Sequence, residues 1–273
     1  MSDEPPRTRV LDTILASKKA EIAALHAAPP PRATRAPSGG VFEALRRPEG
    51  GALRLLAEVK LRSPSAGALS TSLRPPARAR RYAEAGATMI SVLVDGPFFG
   101  GSYDDLAACR DALDEAFGAA RPKLLCKEFI LDPIQLAMAA ARGADAALLI
   151  ARLTSADELA RLADAARALG LEPFVEVATE EELEAAERAR ARVLGVNARD
   201  LDTLAMDHAR AERVLARADR AAARVHLSGL ASADDVARIS QGPADAALVG
   251  EALMRQDDPG PLLRVMVARA ALR

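Results

Sequence analysis

Eight short apolar runs, separated by amphipathic segments, dominate the chain from Leu53 onward and leave few folds open to it. The runs are Leu53–Lys60, Thr88–Asp95, Lys123–Lys127, Ala146–Ile150, Glu172–Val177, Val193–Asn197, Val225–Ser228 and Ala246–Gly250. Their bodies are apolar throughout rather than alternating, as in parallel strands buried on both faces. The segments between them carry helix start signals. Ser155 with Glu158, and Thr179 with Glu182, are capping-box pairs. Asp132-Pro133 sets a cap before a proline at the first helical position, and Ser102 and Ser232 each have Asp three residues on. Gly86, Gly143 and Gly170 stand where helices should end. Eight such repeats predict an α/β chain closed into a single (β/α)8 barrel. An open, doubly wound sheet is the alternative, but no glycine-rich turn follows the first strand.

Residues 1–50 read as an N-terminal helical extension and linker, and residues 51–273 as the barrel. Leu11, Ile14, Leu15, Ile22 and Leu25 share one helical face. Ala27–Gly40 is a Pro-, Arg-, Ser- and Gly-rich surface connection, and Val41–Leu45 a short helix. A length of 273 residues, half of them apolar, suits one barrel. Lys+Arg (37) nearly cancel Asp+Glu (38), which argues against a nucleic-acid face or a polybasic membrane patch. Cys109 and Cys126, with the scattered His26, His208 and His226, build no zinc or haem spacing. So few cysteines, no signal-like apolar run after Met1, and no long apolar stretch point to a cytoplasmic protein.

In a β/α barrel, chemistry belongs to the carboxyl ends of the strands. Those ends carry Glu58 and Lys60, Asp95, Lys127 and Glu128, Glu176, Asn197 with Arg199, Ser228-Gly229, and Gly250-Glu251. The chain has only five lysines, at 18, 19, 60, 123 and 127, among 37 cations. Lysine at two strand ends, in a chain that otherwise uses arginine, favours proton transfer, since buried lysine can be tuned and arginine cannot. The plainer alternative is that Lys60 and Lys127 simply pair with Glu58 or Glu176. Lys127 and Glu176 would together form an acid–base pair. Ser228, Gly229 and Gly250, with the short helix beginning at Glu251, suit a phosphate site, or else merely make tight turns. Glu251 is expected to point away and cap its own helix. His226 is expected to face the helix layer, since neighbouring strand residues alternate.

Several segments, in order, resemble the indole-3-glycerol-phosphate synthase family over nearly the whole chain. They are Ala57-Glu-Val-Lys-Leu-Arg-Ser-Pro-Ser-Ala-Gly67, Ser91-Val-Leu, Phe98-Phe-Gly-Gly-Ser102 and Leu125-Cys-Lys-Glu-Phe-Ile-Leu-Asp-Pro133. Val175-Glu-Val177, Gly195-Val-Asn-Ala-Arg-Asp-Leu201 and Leu248-Val-Gly-Glu-Ala-Leu-Met254 complete the set. The resemblance implies conversion of 1-(2-carboxyphenylamino)-1-deoxyribulose 5-phosphate to indole-3-glycerol phosphate, with loss of carbon dioxide and water and no cofactor or metal. It implies Lys127 as general acid on the sugar carbonyl, Glu176 as acid–base partner in dehydration, and Lys60 on the anthranilate carboxylate. Glu58 would orient these groups, and Asn197 and Arg199 would position the substrate. Ser63, Ser228, Gly229 and Gly250 would line the substrate or phosphate site, and Phe99 would pack on the aromatic ring. The partner implied is a small phosphorylated substrate, with the chain a monomer or weak homo-oligomer.

The resemblance has gaps. Glu128 replaces a usual Asp, Val94 a usual Thr, and Ala66 often a Lys. Leu227 stands where the family carries Glu before Ser-Gly. Leucine accepts no hydrogen bond and balances neither lysine, so reduced or altered turnover is expected. Two other readings compete: a different phosphosugar isomerase or epimerase, and a barrel that binds a phosphate ligand without turnover.

Overall fold

The computed structural model describes residues 10–29, 31, 36–63, 67–69, 72–200, 203 and 205–271. Ala66 lies outside them. Eight parallel strands close into a barrel: β1 (Arg54–Val59), β2 (Met89–Leu93), β3 (Lys123–Lys127), β4 (Ala146–Ile150), β5 (Glu172–Val177), β6 (Val193–Asn197), β7 (Ala223–Leu227) and β8 (Ala246–Val249). β1 pairs with both β2 and β8, which closes the ladder and excludes the open sheet. The strand boundaries move by a residue or two from the apolar runs. β7 starts earlier, at Ala223, and stops before Ser228, whose φ of 72° breaks the extended backbone.

Besides one-turn helices at Gly96–Phe99 and Glu251–Met254, the helices are α1 (Val10–Ala27), α2 (Val41–Leu45), α3 (Pro75–Glu84), α4 (Tyr103–Phe117), α5 (Pro133–Ala141), α6 (Ala156–Ala168), α7 (Glu180–Arg188), α8 (His208–Arg217), α9 (Ala233–Ser240) and α10 (Gly260–Ala270). Ser155, Asp132 and Ser232 form reciprocal capping boxes, and Ser102 caps α4. Thr179 accepts from the Glu182 N–H, but the Glu182 carboxylate accepts from Ala178 N–H rather than from the cap residue. Glu182 is drawn aside by Arg152 at 3.0 Å. Among the described residues no helix is long and apolar enough to cross a membrane.

Alternate residues of each strand face inward and outward. Outward side chains such as Leu55, Ile90, Leu124 and Val175 pack under the helices. Inward ones such as Leu56, Leu125, Phe174 and Val225 fill the barrel. Val41 and Leu45 of α2 join the inner cluster and plug the amino end of the barrel.

The register orders the inner side chains into layers. Glu58 lies level with Ser91 and Leu125, Leu125 with Ala146 and Glu172, Glu176 with Gly195 and Val225, and Val225 with Ala246 and Arg54. Advancing two residues for every two strands follows the eight-residue stagger of such barrels. That path links Glu58, Lys127, Glu176 and Leu227 in one layer and returns to Glu58. The layer above, built the same way from the even strands, is Leu93, Ile150, Asn197 and Gly250.

Candidate active site

Both upper layers line a cavity of about 560 Å³ at the carboxyl end of the barrel. Its size falls in the usual range for small-molecule sites. Ser63, Phe99, Arg199, Ser228, Gly229 and Glu251 also line it, so every site residue expected from the sequence meets at one cavity.

The charges form two pairs. Lys60 Nζ lies 2.9 Å from Glu58 Oε1, and Lys127 Nζ lies 3.5 Å from Glu176 Oε2. The pairing alternative for the lysines is therefore realised, but within the cavity rather than apart from it. Burial alone would push the Glu58 carboxyl up, but Lys60 and then Lys127 outweigh it and hold it below the usual carboxylate range. Burial would likewise lower the Lys127 ammonium, but Glu176 and Glu58 outweigh it and raise it. Lys127 therefore carries its proton at neutral pH. Asn197 Nδ2 donates to Glu176 Oε1 at 2.8 Å, and Asn197 Oδ1 accepts from the Arg199 N–H at 2.9 Å. One amide thus aims the carboxylate and pins the loop that carries Arg199.

Leu227 is almost fully buried in the inner cluster. Its position depends on Gly195, where an added Cβ would stand 2.7 Å from Leu227 Cδ1 and 2.5 Å from Phe174 Cε1. Leucine itself balances neither lysine, and Glu58 and Glu176 supply one carboxylate partner for each. What leucine removes is a hydrogen-bond acceptor.

Gly250 has a similar steric reason, since a Cβ there would come within 2.7 Å of Glu58 Oε1. Glu251 does not cap its short helix (Glu251–Met254). Gly250 sits at the N-cap with no side-chain cap, and the Glu251 carboxylate turns to Arg255 at 2.6 Å. The flexible arginine one turn on offers a charge partner, which a cap on backbone N–H groups would not. Phe99 is set by Asp95, whose Oδ2 accepts from the Phe98 and Phe99 N–H groups at 2.8 and 3.1 Å. The Phe99 ring lies 6.0 Å from that of Phe129, which also lines the cavity. His226 faces the helix layer as expected, fully buried and stacked on His208 of α8.

One group escaped the sequence reading. Lys18 of α1 is wholly buried, 2.7 Å from Asp95 and 3.1 Å from Glu128, with Glu21 at 2.7 Å. The same helix places Leu11 and Ile14 in the cavity wall. Burial opposes the Lys18 charge, but Glu128 and Asp95 outweigh it and raise the ammonium above its usual range. Three carboxylates around one ammonium leave excess negative charge, and burial pushes the Glu128 carboxyl up to about 7. Glu128 is one of the three carboxylates that meet Lys18. A helical stripe counted on apolar residues alone passes over such a lysine; the signal was its i+4 step from Ile14.

Among the described residues no cluster of three or more His, Cys, Asp or Glu could hold a metal ion. A sequence model of the indole-3-glycerol phosphate synthase family matches residues 11–266. An indole-3-glycerol phosphate synthase of Azospirillum brasilense is 41% identical over 233 residues, 85% of this chain and 86% of that protein. One from Kineococcus radiotolerans is 39% identical over 270 residues, 96% of each. Among solved structures, a 3-hexulose-6-phosphate synthase superposes with a TM-score of 0.62 at 15% identity, covering 80% of this chain and 99% of that one. Thiamine phosphate pyrophosphorylase of Pyrococcus furiosus does so at 0.60 and 16%, covering 80% and 95%. At such identity these two share the fold alone. A match over nearly the whole length, on a barrel whose upper layers gather the motif residues, makes this chain a member of the indole-3-glycerol phosphate synthase family.

Proposed function

We propose that this chain closes the indole ring of 1-(2-carboxyphenylamino)-1-deoxyribulose 5-phosphate, releasing carbon dioxide and water to give indole-3-glycerol phosphate. The observation that carries this reading is the layer in which protonated Lys127 faces Glu176 inside a cavity that also holds Lys60. Lys127 gives its proton to the sugar carbonyl oxygen as the aromatic carbon attacks. Glu176, aimed by Asn197, exchanges protons with the hydroxyl that leaves as water. Lys60 holds the anthranilate carboxylate until it departs as carbon dioxide, and Glu58 fixes Lys60 and supports the charge on Lys127. Phe99 packs on the aromatic ring, while Ser63 and Arg199 position the ribulose chain. The backbone at Ser228, Gly229 and Gly250 receives the phosphate. Glu251 serves that site only through its own backbone, since its carboxylate is drawn to Arg255.

The same reading includes slower turnover for want of an acceptor at Leu227, a cytoplasmic setting and a monomer or weak homo-oligomer. It also keeps residues 1–50 as an N-terminal extension and linker to a barrel of residues 51–273, with Leu11 and Ile14 of α1 in the cavity wall. The test is direct. Purified protein mixed with the carboxyphenylamino-deoxyribulose phosphate should develop indole fluorescence; tight binding with no fluorescence would overturn the catalytic reading.

A further inference from the structure

The turn after β7 is strained and rests on an unusual support. Ser228 (φ 72°) is one of two non-glycine residues with positive φ among the described residues, and Gly229 follows at φ 81°. Backbone in this region persists only where its surroundings hold it. The surroundings here come from the segment that returns after β6. Asp207 N–H donates to Ala198 O at 2.8 Å, Asp200 N–H donates to Ala205 O at 2.9 Å, and Arg199 bridges to Met206. This ties Met206 and His208 beneath the turn. A Cβ on Gly229 would stand 2.5 Å from His208 Cε1 and 2.6 Å from Met206 Cε.

Behind His208 lies His226, with ring centroids 6.1 Å apart and planes within 11° of parallel. His226 is wholly buried, and burial, with His208 beside it, holds it neutral, down to about 4. Neither ring nitrogen of His226, nor His208 Nδ1, makes a hydrogen bond of good geometry, and the Ser228 backbone comes near enough to His226 only to offset part of the effect of burial. The support is therefore one of shape: two stacked rings beneath a glycine, held by packing.

We propose that His208 is a positioning residue for the phosphate site. Its ring, backed by His226, props Gly229 and keeps the Ser228–Gly229 turn preformed for the anion. This rests on the reading of that turn as the phosphate site. It also couples the loop that carries Arg199 to the phosphate turn, through one short bridged segment.

The test uses the full chain with His208→Ala and His208→Phe, read by steady-state kinetics and by competition with inorganic phosphate. In His208→Ala, KM and the phosphate inhibition constant should rise together about tenfold, with kcat within about twofold. His208→Phe should restore both, because the ring matters and its nitrogens do not. Unchanged KM and phosphate inhibition in His208→Ala would overturn the proposal. So would a fall in kcat at constant KM, or a His208→Phe variant as weak as His208→Ala. If inorganic phosphate fails to compete in the unmodified protein, the phosphate reading itself falls, a result distinct from failure of the prop. Should His208→Ala not fold, Gly229→Ala probes the same contact from above. It should raise KM and the phosphate inhibition constant together; unchanged values would refute the contact.

Discussion

Asp145 and Asp245, at the amino ends of β4 and β8, differ from Glu58 and Glu176, at the carboxyl ends of β1 and β5, in how fully they are satisfied. Asp145 takes a two-pronged contact from Arg121 at 2.6 and 2.8 Å, the Leu124 N–H at 2.8 Å, and both the N–H and hydroxyl of Ser38 at 2.9 Å. Burial would raise its carboxyl, but Arg121 and these donors hold it low. Asp245 gathers the backbone N–H groups of Arg224 and Arg47 together with the guanidinium of Arg46. At the other end, Glu176 has Asn197 at 2.8 Å and Lys127 only at 3.5 Å, with a cavity in front of them. A carboxylate saturated by fixed donors holds strands and loops together. One left with a long contact and open space keeps capacity for a substrate. The amino end of this barrel is built for stability, and the carboxyl end for chemistry.

If that division is right, Lys127→Met should lower kcat by about a thousandfold or more while leaving the circular dichroism spectrum and Tm nearly unchanged. Full activity in this variant would remove Lys127 as the general acid. Asp145→Ala should do the reverse. It takes the two-pronged partner from buried Arg121, which keeps only Asp114 as a carboxylate partner, and leaves several N–H groups unpaired, so stability in urea should fall by about 3 kcal/mol while kcat of the folded fraction holds within about twofold. A large loss of kcat there would erase the contrast between the two ends.

Glu128 belongs to the carboxyl end but behaves as a structural group. Its carboxyl sits at about 7 in the fold against 4.5 unperturbed, so between these values the folded chain binds more protons than the unfolded one. Its contribution is full below about pH 4.5 and is lost as pH rises through about 7. Urea titrations should show stability declining by up to about 3 kcal/mol across this window, and Glu128→Gln should flatten the decline. An unchanged slope would mean that Glu128 does not carry it. The smallest effect concerns Leu227. Both lysines already have carboxylates, so the missing feature is an acceptor, not a charge. Leu227→Gln should therefore raise kcat/KM as much as Leu227→Glu does, each by about tenfold. A gain with Glu alone would restore the electrostatic explanation.

The barrel was legible because strands buried on both faces are apolar throughout, and because Ser155, Asp132 and Ser232 announce their helices. The charges that line the cavity were legible for a related reason: in this topology a lysine or glutamate at the end of an apolar run can only face the cavity mouth or the helices. Lys18 was not legible, because its partners Asp95 and Glu128 are distant in sequence and its helix was read for apolar residues. Asp145 and Asp245 did leave a trace. Ala-Asp-Ala-Ala-Leu occurs at 144–148 and again at 244–248, entering opposite strands of the barrel. The two copies part at the sixth residue, Leu149 against Val249, and the seventh is Ile150 in one and Gly250 in the other, where only the glycine leaves room for Glu58. The support of Gly229 by His208 could not be read, since it depends on the path of a loop.

The closed ladder has a consequence for how such a site can fail. Glu58, Lys127, Glu176 and Leu227 meet because a path around all eight strands returns to its starting residue. A strand cannot slip by one position and leave its neighbours alone, because the ring would no longer close, and every inward side chain on that strand would turn outward. Errors of alignment are therefore global and are rejected at folding, so a barrel that closes at all has Lys127 and Glu176 facing each other. Sequence drift can still exchange the groups within a layer one at a time, as at Leu227, without disturbing the spacing of the rest.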